Sequence, residues 1–339
     1  MKIFFATFVA IFVIVALQLM GVRMSKLILP TPTHPDVFLD KVLPKLQEYP
    51  TVYKLKLESN IFPQAVAAQD YEIASAYAVI DYETGEVLAS KNISRQLPIA
   101  SLTKIMTAIV ALDLASPEDR FTVSKNASRI MPTKIGVREG EKLTLNELLQ
   151  AALLTSANDA VEVIREGIDK KYNEKVFIRA MNEKANFLGL SNTLFTNPQG
   201  FDADQHFSSV KDISIMTHYA LENYPLIREL VKDDYELLPE NEFHRRFDLY
   251  NWNGLIGVYP SITGVKIGNT DRALKTTAVI SERNGKKLLA IVLGAPGIVE
   301  RDLWASQILD LGYEKSLGLL RVNITEEELR EKYQTWKYW

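Results

Sequence analysis

The stretch from Thr276 to Leu293 leaves the chain the least freedom. Two strand-like runs, Thr276–Arg283 and Lys287–Leu293, flank Asn284-Gly285. Asn-Gly suits the two positive-φ positions of a type I′ turn, so the runs read as a tight antiparallel hairpin. A second hairpin signal lies far upstream, from Ser75 to Lys91. There Tyr77, Val79 and Val87 alternate with smaller or polar neighbours, and Glu83-Thr-Gly85 is the turn. Between the hairpins the apolar spacing becomes helical. Hairpin, helix, helical block and further strands predict an α+β (α/β-sandwich) architecture. An antiparallel sheet carries packed helices, and an all-helical insert runs from about Lys125 to Trp252.

Within that frame the spacing predicts a helix behind Pro98, a short strand over Phe121–Ser124, and two helices or one long one from Leu143 to about Ile168. Further helices are expected over Val176–Leu188, closed by Gly189, then Val210–Leu221 and Leu226–Val231. Gly264-Val-Lys-Ile-Gly268 looks like a strand end, and Arg301–Leu311 a closing helix. The tail, Thr325 to Trp339, is charged and then aromatic. It reads as a surface helix, with contact to a membrane interface as the other option.

The N-terminus has a different character. Ile3 to Met20 is almost unbroken apolar sequence, interrupted by Thr7 and Gln18, with no Ala-x-Ala site after it. It is read as an uncleaved signal-anchor, with a cleaved signal as the alternative. Residues 21–74 contain Pro30, Pro32, Pro35, Pro50 and Pro63 and read as a tether with one short helix over Val37–Leu46. The organisation expected is therefore anchor or signal segment 1–20, tether 21–74, catalytic domain 75–313 and tail 314–339. The catalytic domain would lie outside the cytoplasm, held at the cell membrane.

Composition excludes several chemistries. There is no cysteine, so thiol catalysis, disulfides and zinc–thiolate sites are ruled out together. The four histidines show no metal-ligand spacing, and no phosphate-loop or Gly-x-Gly-x-x-Gly pattern occurs. No cofactor or metal is expected. The net charge of −3 gives no basic field for nucleic acid.

The chemistry-bearing stretch is Pro98-Ile-Ala-Ser-Leu-Thr-Lys-Ile-Met-Thr107. Ser101 and Lys104 are three apart, so on a helix they share a face and the amine reaches the hydroxyl. A serine beside a base is an activated nucleophile. If a helix starts at Ser101, its free N–H groups also favour developing negative charge. The spacing alone is weak, since roughly one Ser-x-x-Lys is expected by chance in such a chain. Ser208-Ser-Val-Lys211 is a second copy, but Ser209 and Asp212 there read as a capping box. Ser156-Ala-Asn158 alone would be a cap or loop, and Lys266-Ile-Gly268 alone a strand end.

In this order and at these separations the three segments resemble the penicillin-recognising serine enzymes, whose pattern is Ser-x-x-Lys, Ser-x-Asn, Lys-Thr-Gly. The flanks narrow the resemblance. Ser156-Ala-Asn-Asp159, Met181-Asn-Glu-Lys-Ala185 with Leu188-Gly189, Phe195-Thr-Asn-Pro-Gln-Gly200 and Gly264-Val-Lys266 are similar to the D-alanyl-D-alanine carboxypeptidase family over about Ser75 to Tyr313. The resemblance implies a β-lactamase/transpeptidase-like fold, an acyl-enzyme mechanism, a peptidoglycan peptide ending in D-Ala-D-Ala as substrate, and β-lactams as covalent inhibitors. It implies that Ser101 attacks, Lys104 accepts the proton, Ser156 relays it, Asn158 holds the substrate amide and Lys266 attracts the terminal carboxylate. The oxyanion would sit between the N–H groups of Ser101 and Asn269. Ile267 and Gly268 complete the third motif.

Two departures stand out. Ile267 occupies a place where the family has Thr or Ser, removing a hydrogen bond to an anion worth about 1.5–3 kcal/mol. Thr270 or Thr263 is a candidate substitute. After Asn269-Thr270 the chain reads Asp-Arg-Ala-Leu-Lys275, where the family tends towards Ala-Gly. The competing readings are a β-lactamase or DD-endopeptidase on the same site, and a wall-binding module that has lost catalysis.

Overall fold

The computed structural model describes residues 37–49, 53–57 and 70–336. The apolar run Ile3–Met20, most of the tether and the last three residues, with Tyr338 and Trp339, lie outside the described residues. Among the described residues no helix is long and apolar enough to cross a membrane.

Both expected hairpins form and share one sheet. β1 (Ala76–Asp81) pairs with β2 (Val87–Lys91). A five-stranded antiparallel sheet runs β2-β1-β9-β8-β7, with β7 (Ile262–Thr270), β8 (Leu274–Arg283) and β9 (Lys286–Ala295). Asn284 and Gly285 have φ of 50° and 74°, which is the turn that the Asn-Gly pair demands. Strand β1 splits its side chains cleanly. Ala76, Ala78 and Ile80 enter one core, and Tyr77 and Val79 enter the other, so the sheet is covered on both faces. Helix α8 (Ile298–Leu317) covers the second face, longer at both ends than the expected Arg301–Leu311.

The helical block packs on the first face. Its hub is α2 (Thr103–Leu114), which follows the short N-terminal helix α1 (Leu43–Leu46) and is buried on almost every side. That explains its all-round apolar sequence. Leu143–Ile168 resolves into two helices, α3 (Leu145–Leu153) and α4 (Asn158–Tyr172). The Thr144/Glu147 capping box starts α3. Ser156, at φ 61°, breaks the path between them. Then come α5 (Phe177–Phe187), α6 (Val210–Asn223), α7 (Pro225–Leu230) and the capped tail helix α9 (Glu326–Gln334).

Two expectations fail. The insert is not all-helical: β4 (Lys142–Thr144) pairs with β3 (Arg120–Thr122), and β5 (Tyr235–Leu238) pairs with β6 (Phe247–Tyr250). The last pair contains Asp, Glu and Leu, which carry little strand signal, and cross-strand contact decides. Second, Gly264–Gly268 is not a strand end. It lies inside the nine-residue β7, whose pairing with β8 continues to Thr270.

Candidate active site

The site is assembled around the turn before α2. Ala100–Leu102 is a single 3-10 turn, so Ser101 sits two residues ahead of the α-helix proper rather than at its first residue. Ala100 has φ 49°, an uncommon conformation for a side chain with a Cβ. Two glycines from distant segments permit it. A Cβ on Gly200 would fall 1.9 Å from the Ala100 carbonyl oxygen, and a Cβ on Gly268 would fall 2.8 Å from the Ser101 nitrogen. Only residues without a side chain let the 197–200 turn and strand β7 close on the serine from two sides.

A buried chain fixes the same turn. The Thr103 hydroxyl donates to the Ala100 carbonyl at 2.9 Å and lies 2.8 Å from His206 Nε2. His206 Nδ1 accepts from the Thr196 N–H at 3.1 Å, so its ring proton belongs on Nε2, facing Thr103. Burial pushes this imidazole down to about 4, against the pull of Asp202. His206 is therefore a neutral strut.

Lys104 is fully buried, and its Nζ meets three oxygens at 2.8 Å: Ser101 Oγ, Asn158 Oδ1 and the Gln199 carbonyl. Burial and then the nearby Lys266 ammonium hold its amine well below the ordinary lysine range, with Asp159 pulling the other way. Two of its three partners are carbonyl oxygens that only accept. A neutral amine satisfies them with its two N–H bonds and turns its lone pair to the Ser101 hydroxyl.

Asn158 Oδ1 takes Lys104 and its Nδ2 donates to the Pro132 carbonyl at 3.0 Å, so the side chain orients the amine. Ser156 is buried, and among the described residues its hydroxyl has no hydrogen-bond partner. Lys266 Nζ is also buried without a partner among the described residues; burial first, and the Arg301 guanidinium second, bring it down to about 7. An unpaired ammonium in a dry site is costly unless an anion arrives.

Ile267 is buried opposite Thr277, while Asn269 is exposed and its Oδ1 accepts from Lys275 at 2.7 Å. Thr270 does not replace the missing hydroxyl. It donates to Asp202 at 2.7 Å and accepts from the Ala273 N–H. The sequence reading missed three contributors: Arg301, His206 and the Gln199 carbonyl. Gln199 Nε2 is itself held at 2.6 Å by Glu162. His206 lies among loops, and Arg301 is 35 positions from Lys266 (301 − 266), so no local pattern marks either.

Beside Thr155 and Trp252 opens a cleft of about 420 Å³ with Lys134, Arg245 and Arg246 on its walls.

Residues 63–297 match the sequence profile of the family described as D-alanyl-D-alanine carboxypeptidase. The chain is 32% identical to the D-alanyl-D-alanine carboxypeptidase DacF of Bacillus subtilis, over 75% of this chain and 67% of that protein. It is 28% identical to DacA of Escherichia coli, over 71% of this chain and 60% of that protein. It thus spans about two thirds of the length of these curated relatives or less. Among solved structures, a Streptomyces DD-transpeptidase is similar, with a TM-score of 0.66 and 26% identity over 71% of this chain and 97% of the other. Penicillin-binding protein D2 of Listeria monocytogenes, in an ampicillin-bound form, is similar too, with a TM-score of 0.61 and 27% identity over the same shares.

Proposed function

Since the chain belongs to the D-alanyl-D-alanine carboxypeptidase family, we propose that it removes the terminal D-alanine from peptidoglycan stem peptides through an acyl-enzyme on Ser101. The observation that carries the reading is the buried amine of Lys104, 2.8 Å from the Ser101 hydroxyl and depressed by its surroundings. A depressed lysine within hydrogen-bond reach of a serine is a competent general base.

The steps follow from the positions. Lys104 takes the Ser101 proton as Oγ attacks the carbonyl of the D-Ala-D-Ala bond. Negative charge develops on that oxygen beside the Ser101 N–H, with β7 alongside to contribute the Asn269 N–H. The close approach of Gly268 to the Ser101 nitrogen supports this placement. The unpartnered hydroxyl of Ser156 passes the proton to the leaving amine. Lys266 and Arg301 attract the terminal carboxylate. Water then releases the shortened peptide by the reverse proton route. None of these steps calls on a metal or an organic cofactor.

The apolar run Ile3–Met20 supports a membrane tether with the catalytic domain outside the cytoplasm. A pentapeptide ending in D-Ala-D-Ala tests the activity: wild type should release D-alanine and Ser101→Ala should not. Covalent labelling by a fluorescent penicillin, lost in Ser101→Ala, tests the nucleophile. Absence of both would leave only the non-catalytic wall-binding reading.

The cleft lined by Thr155, the residue before Ser156, favours a second substrate. A leaving group larger than alanine, such as a peptide joined through a cross-link, fits beyond Thr155 and Trp252. Incubation with a cross-linked muropeptide dimer and counting of monomers separates this endopeptidase activity from simple trimming.

A further inference from the structure

The tail helix α9 ends on the carboxylate-recognition machinery, although it lies beyond the matched segment 63–297. Arg301 and Asp302 are both buried near the start of α8. Asp302 grips Arg301 with both oxygens, at 2.7 Å to Nε and 2.8 Å to Nη2. Consecutive helical residues point about 100° apart, so this grip holds only if both side chains are steered towards one another. Nη2 has one further tie, the Trp252 carbonyl at 3.3 Å.

Tyr333 supplies steering from outside the helix. Its hydroxyl lies 2.8 Å from Asp302 Oδ2, the same oxygen that takes Arg301 Nη2, and 3.2 Å from the Ile298 carbonyl. The helix that presents it is well anchored. Thr325 and Glu328 cap it, Leu329 is fully buried, and Lys332 pairs with Asp234 at 2.7 Å. The chain wraps closely round this junction. A Cβ on Gly254 would fall 2.3 Å from Asp302 Oδ2 and 2.5 Å from the Tyr333 ring.

The local charge balance shows what the junction is for. The Arg301 guanidinium acts on the Lys266 amine, and the buried Lys266 Nζ has no hydrogen-bond partner among the described residues. Asp302 offsets Arg301, so a protonated Lys266 leaves one positive charge, a match for one substrate carboxylate. How firmly that anion is recognised depends on where Arg301 points, and Asp302 sets that.

We propose that Tyr333 is a positioning residue that sets the preference for substrates with a free terminal carboxylate, acting through Asp302 on Arg301. The proposal rests on the peptidase reading above and extends it to a residue of the C-terminal helix. Removing the hydroxyl leaves Asp302 with one donor fewer and lets the Asp302–Arg301 pair swing away from Lys266. Chemistry at Ser101 is untouched, because Tyr333 contacts none of the reacting groups.

Tyr333→Phe keeps the ring and its packing on Trp336, whose centroid is 4.8 Å away. The test compares two substrates on the full chain. One is an acyl-D-Ala-D-Ala peptide. The other is an acyl-D-alanine p-nitrophenyl ester, whose leaving group bears no carboxylate. In Tyr333→Phe the peptide KM should rise roughly tenfold with kcat little changed, the size expected for weakening one hydrogen-bonded contact to a charged group. Both constants for the ester should stay at the wild-type value. Asp302→Asn, which keeps the shape and loses the ionic grip, should show the same split if Tyr333→Phe proves unstable in a thermal melt. Equal losses on both substrates would mean that the helix only supports the fold, and unchanged peptide KM would mean that Arg301 needs no such steering; either overturns the proposal alone. A wild type inert towards both substrates would overturn the peptidase reading and this proposal with it.

Discussion

Acid should loosen the turn that carries Ser101, and His206 should be the group responsible. In the folded chain its ring sits between the Thr196 N–H and the Thr103 hydroxyl, and burial brings it from 6.5 down to about 4. The folded value lies below the unfolded one, so the unfolded chain takes up this proton first as the pH falls. Stability is therefore full above pH 6.5 and is lost progressively between 6.5 and about 4. The difference corresponds to about 3 kcal/mol when complete, most of it spent by pH 4.5. Solvent screening takes little from this figure, because the residue is 3% exposed. The perturbation is His206→Asn, which cannot titrate. Urea unfolding at pH 7.5 and 4.5 gives the stability gap between wild type and variant. The gap should favour wild type at pH 7.5 and narrow by about 2–3 kcal/mol at pH 4.5. Contributions of other titrating groups are common to both chains and cancel. A gap of the same size at both pH values would refute the reasoning, since it would mean that His206 takes its proton as easily folded as unfolded.

Three further outcomes are expected. Lys266 is brought down to about 7, so kcat/KM for a D-Ala-D-Ala peptide should fall above that pH as the ammonium is lost, while a carboxylate-free ester shows no such limb; a flat profile for the peptide would remove Lys266 from substrate recognition. Gly268→Ala places a Cβ 2.8 Å from the Ser101 nitrogen and should slow penicillin acylation roughly 100-fold with a cooperative melt retained; near-normal labelling would show that β7 does not set the nucleophile. Ile267→Thr adds a hydroxyl to the third motif and should raise kcat/KM for the peptide roughly tenfold; no gain would show that Lys266 with Arg301 already suffices.

What was legible in the sequence was local or paired by strong turns. Asn284-Gly285 forces one hairpin, and the apolar run behind Ser101 forces the hub helix, so these were legible locally, while the Ser101–Lys104 pair stood out only once the other two motifs joined it. The extent of β7 was not legible, because Lys266, Gly268 and Thr270 become strand residues only by pairing with Ala278, Thr276 and Leu274. Residues such as Glu236 and Asp248 gave no hint of the β5–β6 hairpin for the same reason. The missed contributors are tertiary too. Arg301 matters through its neighbour Asp302 and its charge acting on Lys266. Gln199 matters through a backbone carbonyl, which every residue possesses, so its identity carried no signal. Thr270 looked available as a substitute hydroxyl until its bond to Asp202 was visible.

The pincer formed by Gly200 and Gly268 ties chemistry to completion of folding. The two arms come from opposite halves of the molecule: a loop within the helical block, and a border strand of the sheet. Neither half alone holds Ala100 in its left-handed pose, so a half-built molecule carries a serine but no reagent. Penicillin should thus count finished copies only, and a refolding mixture sampled over time would gain antibiotic reactivity at its last step, after helix content and sheet have already returned.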